Sequence, residues 1–169
     1  DFWYIYNDES PDFVLSLPTL HNIQNDLWYK NCGSQYSRSL YDFNLPTLYS
    51  IGNDLIIQSN YGNRVTMAQM QTIGGYLYLA NNNGMTSVSL VSLQTVGEYI
   101  DIYYNSYSYN NIGIKRIELN SLQSFGSYMN VYDNDELKFM NLTRMQTVPQ
   151  YRACATPPLD GARLRLCPA

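Results

Sequence analysis

Few residues in this chain could do chemistry. Asp26 and Asp54 are candidates for a pair of acids, and Asp133, Asp135 and Glu136 crowd together near the C-terminal end. Asp8 and Glu9 are adjacent near the start, and His21 is the single histidine. Paired acids at a fixed separation are what glycan hydrolysis requires, and clustered acids can hold Ca²⁺. One histidine excludes chemistry that needs two. The simpler reading makes all of these acids solvated corner residues and His21 an outward polar residue. No catalytic residue, metal site or cofactor is assigned on this reading. The three cysteines are Cys32, Cys154 and Cys167. Cys154 and Cys167 flank a stretch containing Pro157 and Pro158, and in an oxidising compartment they would close a short loop. The alternative is two reduced, buried thiols. Cys32 is then a buried free thiol or an intermolecular link.

The elements that would position these residues come from a repeat. Leu17, Leu45, Met67, Leu90, Leu119 and Leu142 anchor it, at spacings of 28, 22, 23, 29 and 23. Two before each anchor stand Leu15, Phe43, Val65, Val88, Ile117 and Met140. Three after it stand Leu20, Leu48, Met70, Leu93, Leu122 and Met145. Six after it stand Ile23, Ile51, Ile73, Val96, Phe125 and Val148. Ten and twelve after it the pairs are Leu27/Tyr29, Leu55/Ile57, Leu77/Leu79, Ile100/Ile102 and Met129/Val131. Apolar pairs two apart have the period of a strand with one buried face. No 3.6-residue period competes with it.

Polar slots recur as well. Seven after the anchor stand Gly52, Gly74, Gly97 and Gly126, where a corner with positive φ is expected. Gln24 and Pro149 hold that slot in the first and last repeats. Fifteen after the anchor stand Asn60, Asn82, Asn105 and Asn134, with Cys32 in the first repeat. Asn tolerates the left-handed region, and stacked copies are expected to form a ladder at a corner. Cys32 is expected to be buried and structural. The fold class expected is all-β: a right-handed β-solenoid of five to six coils, each 22–29 residues long. Residues 1–151 form the solenoid, and residues 152–169 a Pro-rich, Cys-containing cap or docking tail.

Composition narrows the partners. Of 169 residues, 14% are charged, and ten Lys+Arg face fourteen Asp+Glu. That is too little positive charge for a phosphate-neutralising nucleic-acid groove or a polybasic membrane anchor. No apolar run is long enough to span a bilayer. The polar residues are instead 17 Tyr and 18 Asn, unlike the Lys- and Glu-rich surface of an ordinary cytosolic enzyme. The chain begins at Asp1 without Met or a hydrophobic signal segment, so it is expected to be processed or part of a longer protein. The sequon Asn141-Leu142-Thr143 makes Asn141 a glycosylation candidate if the protein is secreted.

Tyrosine is concentrated on predicted outward slots. Nine after the anchor the residues are Asp26, Asp54, Tyr76, Tyr99, Tyr128 and Tyr151, so four tyrosines are expected in one column. Tyr78, Tyr103, Tyr104 and Tyr132 flank it, and the insertion adds Tyr107 and Tyr109. Such columns can stabilise a sheet, and they can equally form a contact surface. At the N-terminal end, Phe2, Trp3 and Ile5 belong to a partial coil, with Trp3 and Ile5 in the two inward slots. An uncapped strand edge pairs with whatever offers one.

The segments 70–82 (MQTIGGYLYLANN) and 93–105 (LQTVGEYIDIYYN) resemble the receptor L-domain repeat. That repeat is a leucine-rich β-helix of insulin- and EGF-receptor ectodomains, with similar repeats in fungal GPI-anchored cell-wall proteins. The resemblance spans about residues 15–150 and rests on core and corner positions. It implies an extracellular, non-enzymatic module, and no functional residue of the family maps onto this chain. The family's Cys-rich flanks are missing, and Tyr is far commoner here. The function expected is a structural or self-assembly module of a cell-surface or secreted fibre. Its partner is expected to be another copy stacked head to tail, or another subunit. The alternative is a receptor-type ectodomain binding a protein or glycan on its tyrosine face.

Overall fold

A computed structural model describes residues 3–6, 17–32, 42–61, 64–82, 84–107, 112–145, 151–153 and 164–168. Among these residues every regular element is a strand. The strands sort into three sheets of stacked repeats and one small hairpin.

Each sheet takes one slot of the repeat. The slot two before the anchor gives the five strands Asp42–Asn44, Arg64–Thr66, Ser87–Ser89, Arg116–Glu118 and Phe139–Asn141, all paired in parallel. The slot six after it gives Asn22–Ile23, Ser50–Ile51, Thr72–Ile73, Thr95–Val96 and Ser124–Phe125, again parallel. The slots ten and twelve after it build the longest sheet, in which Trp3–Tyr6, Leu27–Lys30, Leu55–Gln58, Leu77–Ala80, Ile100–Tyr103 and Met129–Tyr132 run parallel. Equivalent residues meet: Ile100 pairs with Leu77 on one side and Met129 on the other. This is a β-helix-like arrangement of parallel stacked strands.

The inward slots of the three sheets share one core. Leu55, Ile57, Val65, Met67, Met70, Leu77, Leu79, Val88, Leu90 and Leu93 are completely buried in it. Tyr29 packs flat on Phe43 there, centroids 4.1 Å apart. Met85 and Ile114 each stand five before an anchor, outside the six apolar slots named above, and both are also fully buried. The insertion after Asn105 folds into an antiparallel hairpin, Ser106–Tyr107 against Ile112–Gly113.

Two expectations need correction. The recurrent glycine corners have no positive φ. A Cβ on Gly74 would instead run into the carbonyl oxygen of Gly52, and one on Gly97 into that of Gly74. Glycine is needed there because successive repeats approach backbone to backbone. Positive φ falls at Asn31, Ser59, Asn81, Tyr104 and Asp133, each one residue before the asparagine ladder slot. Only short polar side chains and one tyrosine take that conformation here, and the ladder residues themselves do not.

At the C-terminal side the long sheet changes direction. Leu164–Pro168 pairs antiparallel with Met129–Tyr132, and Tyr151–Ala153 pairs antiparallel with Leu164–Pro168. The backbone of Tyr151 is therefore separated from Met129–Tyr132 by the strand Leu164–Pro168, and does not continue the parallel register that carries Tyr76, Tyr99 and Tyr128.

Candidate interaction surfaces

The asparagines close one corner of the fold with side-chain amides. Asn82 Oδ1 accepts from the backbone N–H of Asn60 (3.2 Å) and from its Nδ2 (2.9 Å). Asn82 Nδ2 donates to Ile57 O (2.9 Å) and to Asn105 Oδ1 (2.9 Å). Asn60 and Asn105 repeat the pattern, and Asn134 ends it. Asn60, Asn82 and Asn105 are wholly buried. Both donors and the acceptor of each amide are satisfied, which burial demands. Cys32 starts the series: its N–H donates to Asn60 Oδ1 (3.0 Å), and its Sγ reaches Ile5 O (3.6 Å) and Lys30 O (3.4 Å). The thiol stands where an amide Nδ2 would stand. This ladder belongs to the scaffold.

The acids divide into structural roles. Asp26 Oδ1 accepts from the Asp54 N–H (3.1 Å) and Asn53 Nδ2 (2.7 Å), and Asp54 Oδ1 accepts from the Tyr76 N–H (3.1 Å). Each carboxylate thus binds a backbone donor of the next repeat. Asp133, Asp135 and Glu136 do not converge on a common centre; among the described residues no three His, Cys, Asp or Glu side chains do. Asp8 and Glu9 lie outside the described residues. Glu118 is held below the usual carboxylate range by hydrogen bonds from Arg116 (2.8 Å) and Ser89 (2.9 Å).

The tyrosines form two groups on the outside of the long sheet. Tyr76, Tyr99 and Tyr128 stack in a column, centroids 4.7 and 5.0 Å apart and planes within 9°. Beside them Tyr103 stacks on Tyr132 at 4.9 Å, and Tyr78 meets Tyr103 edge-on with their hydroxyls hydrogen-bonded. Tyr104 stands edge-on to both Tyr103 and Tyr132 and remains half exposed. Partial burial pushes the Tyr76 and Tyr99 phenols up to about 12; the charge of Asp54 adds to the first, and neighbouring Tyr128 to the second. Tyr78 and Tyr132 are raised as well, by burial first and then by neighbouring Tyr103.

A third aromatic group lies at the N-terminal edge of this sheet. Tyr4 meets Trp28 edge-on at 6.1 Å, and Lys30 Nζ sits 4.1 Å above the Trp28 ring. Partial burial lowers the Lys30 ammonium. Ile56, in register between Trp28 and Tyr78, is buried although its slot faces outward. Tyr4 and Trp28 were not singled out by sequence reasoning. Their signal was position: both share the slot of Tyr78.

The remaining candidates are placed as follows. Trp3 and Ile5 pair in register with Leu27 and Tyr29, and Ile5 is buried. Asn141 lies in the edge strand Phe139–Asn141, with its Oδ1 accepting from the Thr143 N–H (3.1 Å). The backbone of Tyr107 lies in the hairpin, and that of Cys167 in the antiparallel C-terminal strand. Phe2, Tyr109 and Cys154 lie outside the described residues, and with Cys154 the expected disulfide.

These surfaces and the three-sheet stack define a class, an all-β protein of parallel stacked repeats with an aromatic outer face. No family model, curated protein or solved structure matches the chain.

Proposed function

We propose that this chain is a non-enzymatic, extracellular β-solenoid, right-handed and of five to six coils, that works as a structural or self-assembly module. The observation that carries this reading is the aromatic outer face of the long sheet. It runs from Tyr4 and Trp28 at one edge to Tyr128 and Tyr132 near the other. The edge strand Trp3–Tyr6 is the first in that sheet, and Tyr4 is half exposed on it. Its opposite edge, Tyr151–Ala153, runs antiparallel to its own neighbour. Unlike edges that pair give a heterologous contact, which grows into a filament when it does not close. The low charge lets like surfaces approach. The resemblance to receptor L-domain repeats and the sequon at Asn141 support an extracellular setting. Negative-stain imaging of the purified chain at rising concentration tests the reading: filaments are expected, and discrete single particles throughout would overturn it.

One observation favours a second reading, a receptor-type ectodomain with a protein or glycan ligand on the tyrosine face. Tyr104 is braced by two other rings and exposed, the profile of a rigid aromatic anchor. A monomer whose partner is lost on Tyr104→Ala would support it.

A further inference from the structure

A groove of about 500 Å³ opens on a different part of the surface, away from the tyrosine columns, lined by His21, Asn22, Thr47, Tyr49 and Gln69. Its size is within the ~300–1,000 Å³ range of small-molecule clefts. Three consecutive repeats contribute to it, and they do so with residues that the repeat does not require. Four after the anchor, later repeats carry Gln71, Gln94 and Gln123, whereas the first two carry His21 and Tyr49. Five after it, Ser50, Thr72, Thr95 and Ser124 follow Asn22. The backbone ladder through the first of these slots is the same throughout: Tyr49 N–H donates to His21 O, Gln71 to Tyr49 O, and Gln94 to Gln71 O. The scaffold therefore accepts glutamine here, and the aromatic ring is an addition to it. Tyr49 is 45% exposed, a large apolar surface left in water at a concave site.

The polar groups around that ring have spare capacity and no formal charge. His21 Nδ1–H donates to Thr19 O (2.7 Å), which in the neutral imidazole leaves Nε2 as an acceptor. Asn22 Oδ1 accepts from Ser50 Oγ (2.7 Å), which leaves its Nδ2 to donate. The single Thr47 Oγ–H is shared between Pro18 O and Leu20 O of the preceding repeat (2.9 and 3.0 Å). Gln69 is exposed, and its amide makes no hydrogen bond within the described residues.

We infer that this groove binds a neutral saccharide. A pyranose offers one face of C–H groups, suited to a flat aromatic ring, and a rim of hydroxyls that both donate and accept. The Gln69 amide, Asn22 Nδ2 and His21 Nε2 supply both roles around Tyr49. No Asp, Glu, Lys or Arg is among the described residues of the lining, which selects against an acidic sugar or a charged peptide. The inference does not depend on assembly through the long sheet.

Titration calorimetry of the intact chain with cellohexaose, mannohexaose and the acidic hexagalacturonate tests it. At least one neutral hexasaccharide should bind, and more tightly than hexagalacturonate. Tyr49→Gln installs the repeat's own residue and should preserve the fold, checked by its melting temperature, while weakening binding about tenfold. Gln69→Ala should weaken it about threefold, and Lys138→Ala, at an exposed position outside the groove lining, should leave it unchanged. Three results would overturn the inference: no binding of either neutral probe, tighter binding of hexagalacturonate, or full affinity in Tyr49→Gln.

Discussion

Asn82 and Asn105 are joined twice over: Asn82 Nδ2 and the Asn82 backbone N–H both donate to Asn105 Oδ1, at 2.9 and 3.1 Å. One side-chain oxygen thus holds the main chain and the side chain of the preceding repeat. The neighbouring residue at positive φ, Asn81 at 57°, turns the backbone so that the amide points inward. The corner is therefore built by two adjacent residues with different tasks: one bends the chain and the other bonds the stack.

Removing one rung should be costly. Asn82→Ala leaves the Asn60 N–H without its acceptor and takes one partner each from Asn60 Nδ2, which keeps Tyr29 O, and from Ile57 O, in a dry corner. At ~1–3 kcal/mol per orphaned group, with partial relaxation, urea unfolding should show a loss of about 3–5 kcal/mol. A loss below about 1 kcal/mol would mean that water replaces the rung.

The first rung offers the reverse experiment. Cys32 already places its thiol against Ile5 O and its N–H against Asn60 Oδ1. Cys32→Asn is similar in size and adds a true amide donor to both. Stability should rise by about 1 kcal/mol. Destabilisation would show that the thiol is needed for packing and does not stand in for an amide.

Glycine at the close-packed corner is limited by the repeat on its N-terminal side. Gly97→Ala pushes a methyl into the Gly74 carbonyl and should cost about 2–4 kcal/mol, read as a fall in melting temperature. Gln24 holds the same slot in the edge strand's repeat, where no described strand lies beyond Asn22–Ile23. Gln24→Ala should stay within about 0.5 kcal/mol of the parent. Equal effects at the two sites would refute the stacking explanation.

Alkali should act on the tyrosine column. The folded-state phenols of Tyr76 and Tyr99 are raised to about 12 from an ordinary value of 10.0. The unfolded chain therefore ionises first as pH rises. Their contribution is fully present below the ordinary value and declines between it and about 12. A phenolate absorbance titration should resolve a late-titrating class, and Tyr99→Leu should shrink it. A single transition at the ordinary value would contradict the stacked, partly buried geometry.

Most of the apolar slots of the described repeats were legible in the sequence, because each inward position recurs and one-faced strands have a two-residue period; the one holding Met85 and Ile114 was not. Val88 between Val65 and Ile117, and Val96 between Ile73 and Phe125, pair as their anchor spacings require. What the sequence hid was the reason for its polar slots. Glycine and asparagine each suggest positive φ, yet Gly97 serves close approach and Asn105 serves hydrogen bonding, while the left-handed turn falls on Tyr104. Residue type alone does not separate these tasks. The hydrogen-bonding roles of Asp26 and Asp54 were equally invisible, since they depend on which backbone N–H the next repeat presents. Tyr151 was misplaced because a period cannot announce where antiparallel pairing takes over from it. The groove at Tyr49 lay in the exceptions to the repeat, which attention to its rule passes over.

Assembly through the long sheet is the central claim, and sedimentation velocity of the purified chain across a wide concentration range tests it most directly. The account predicts species that grow steadily in size with concentration. Tyr4→Lys, which puts a charge on the edge strand, should reduce them to a single small species. A parent chain that sediments as one monomer at every concentration would contradict it.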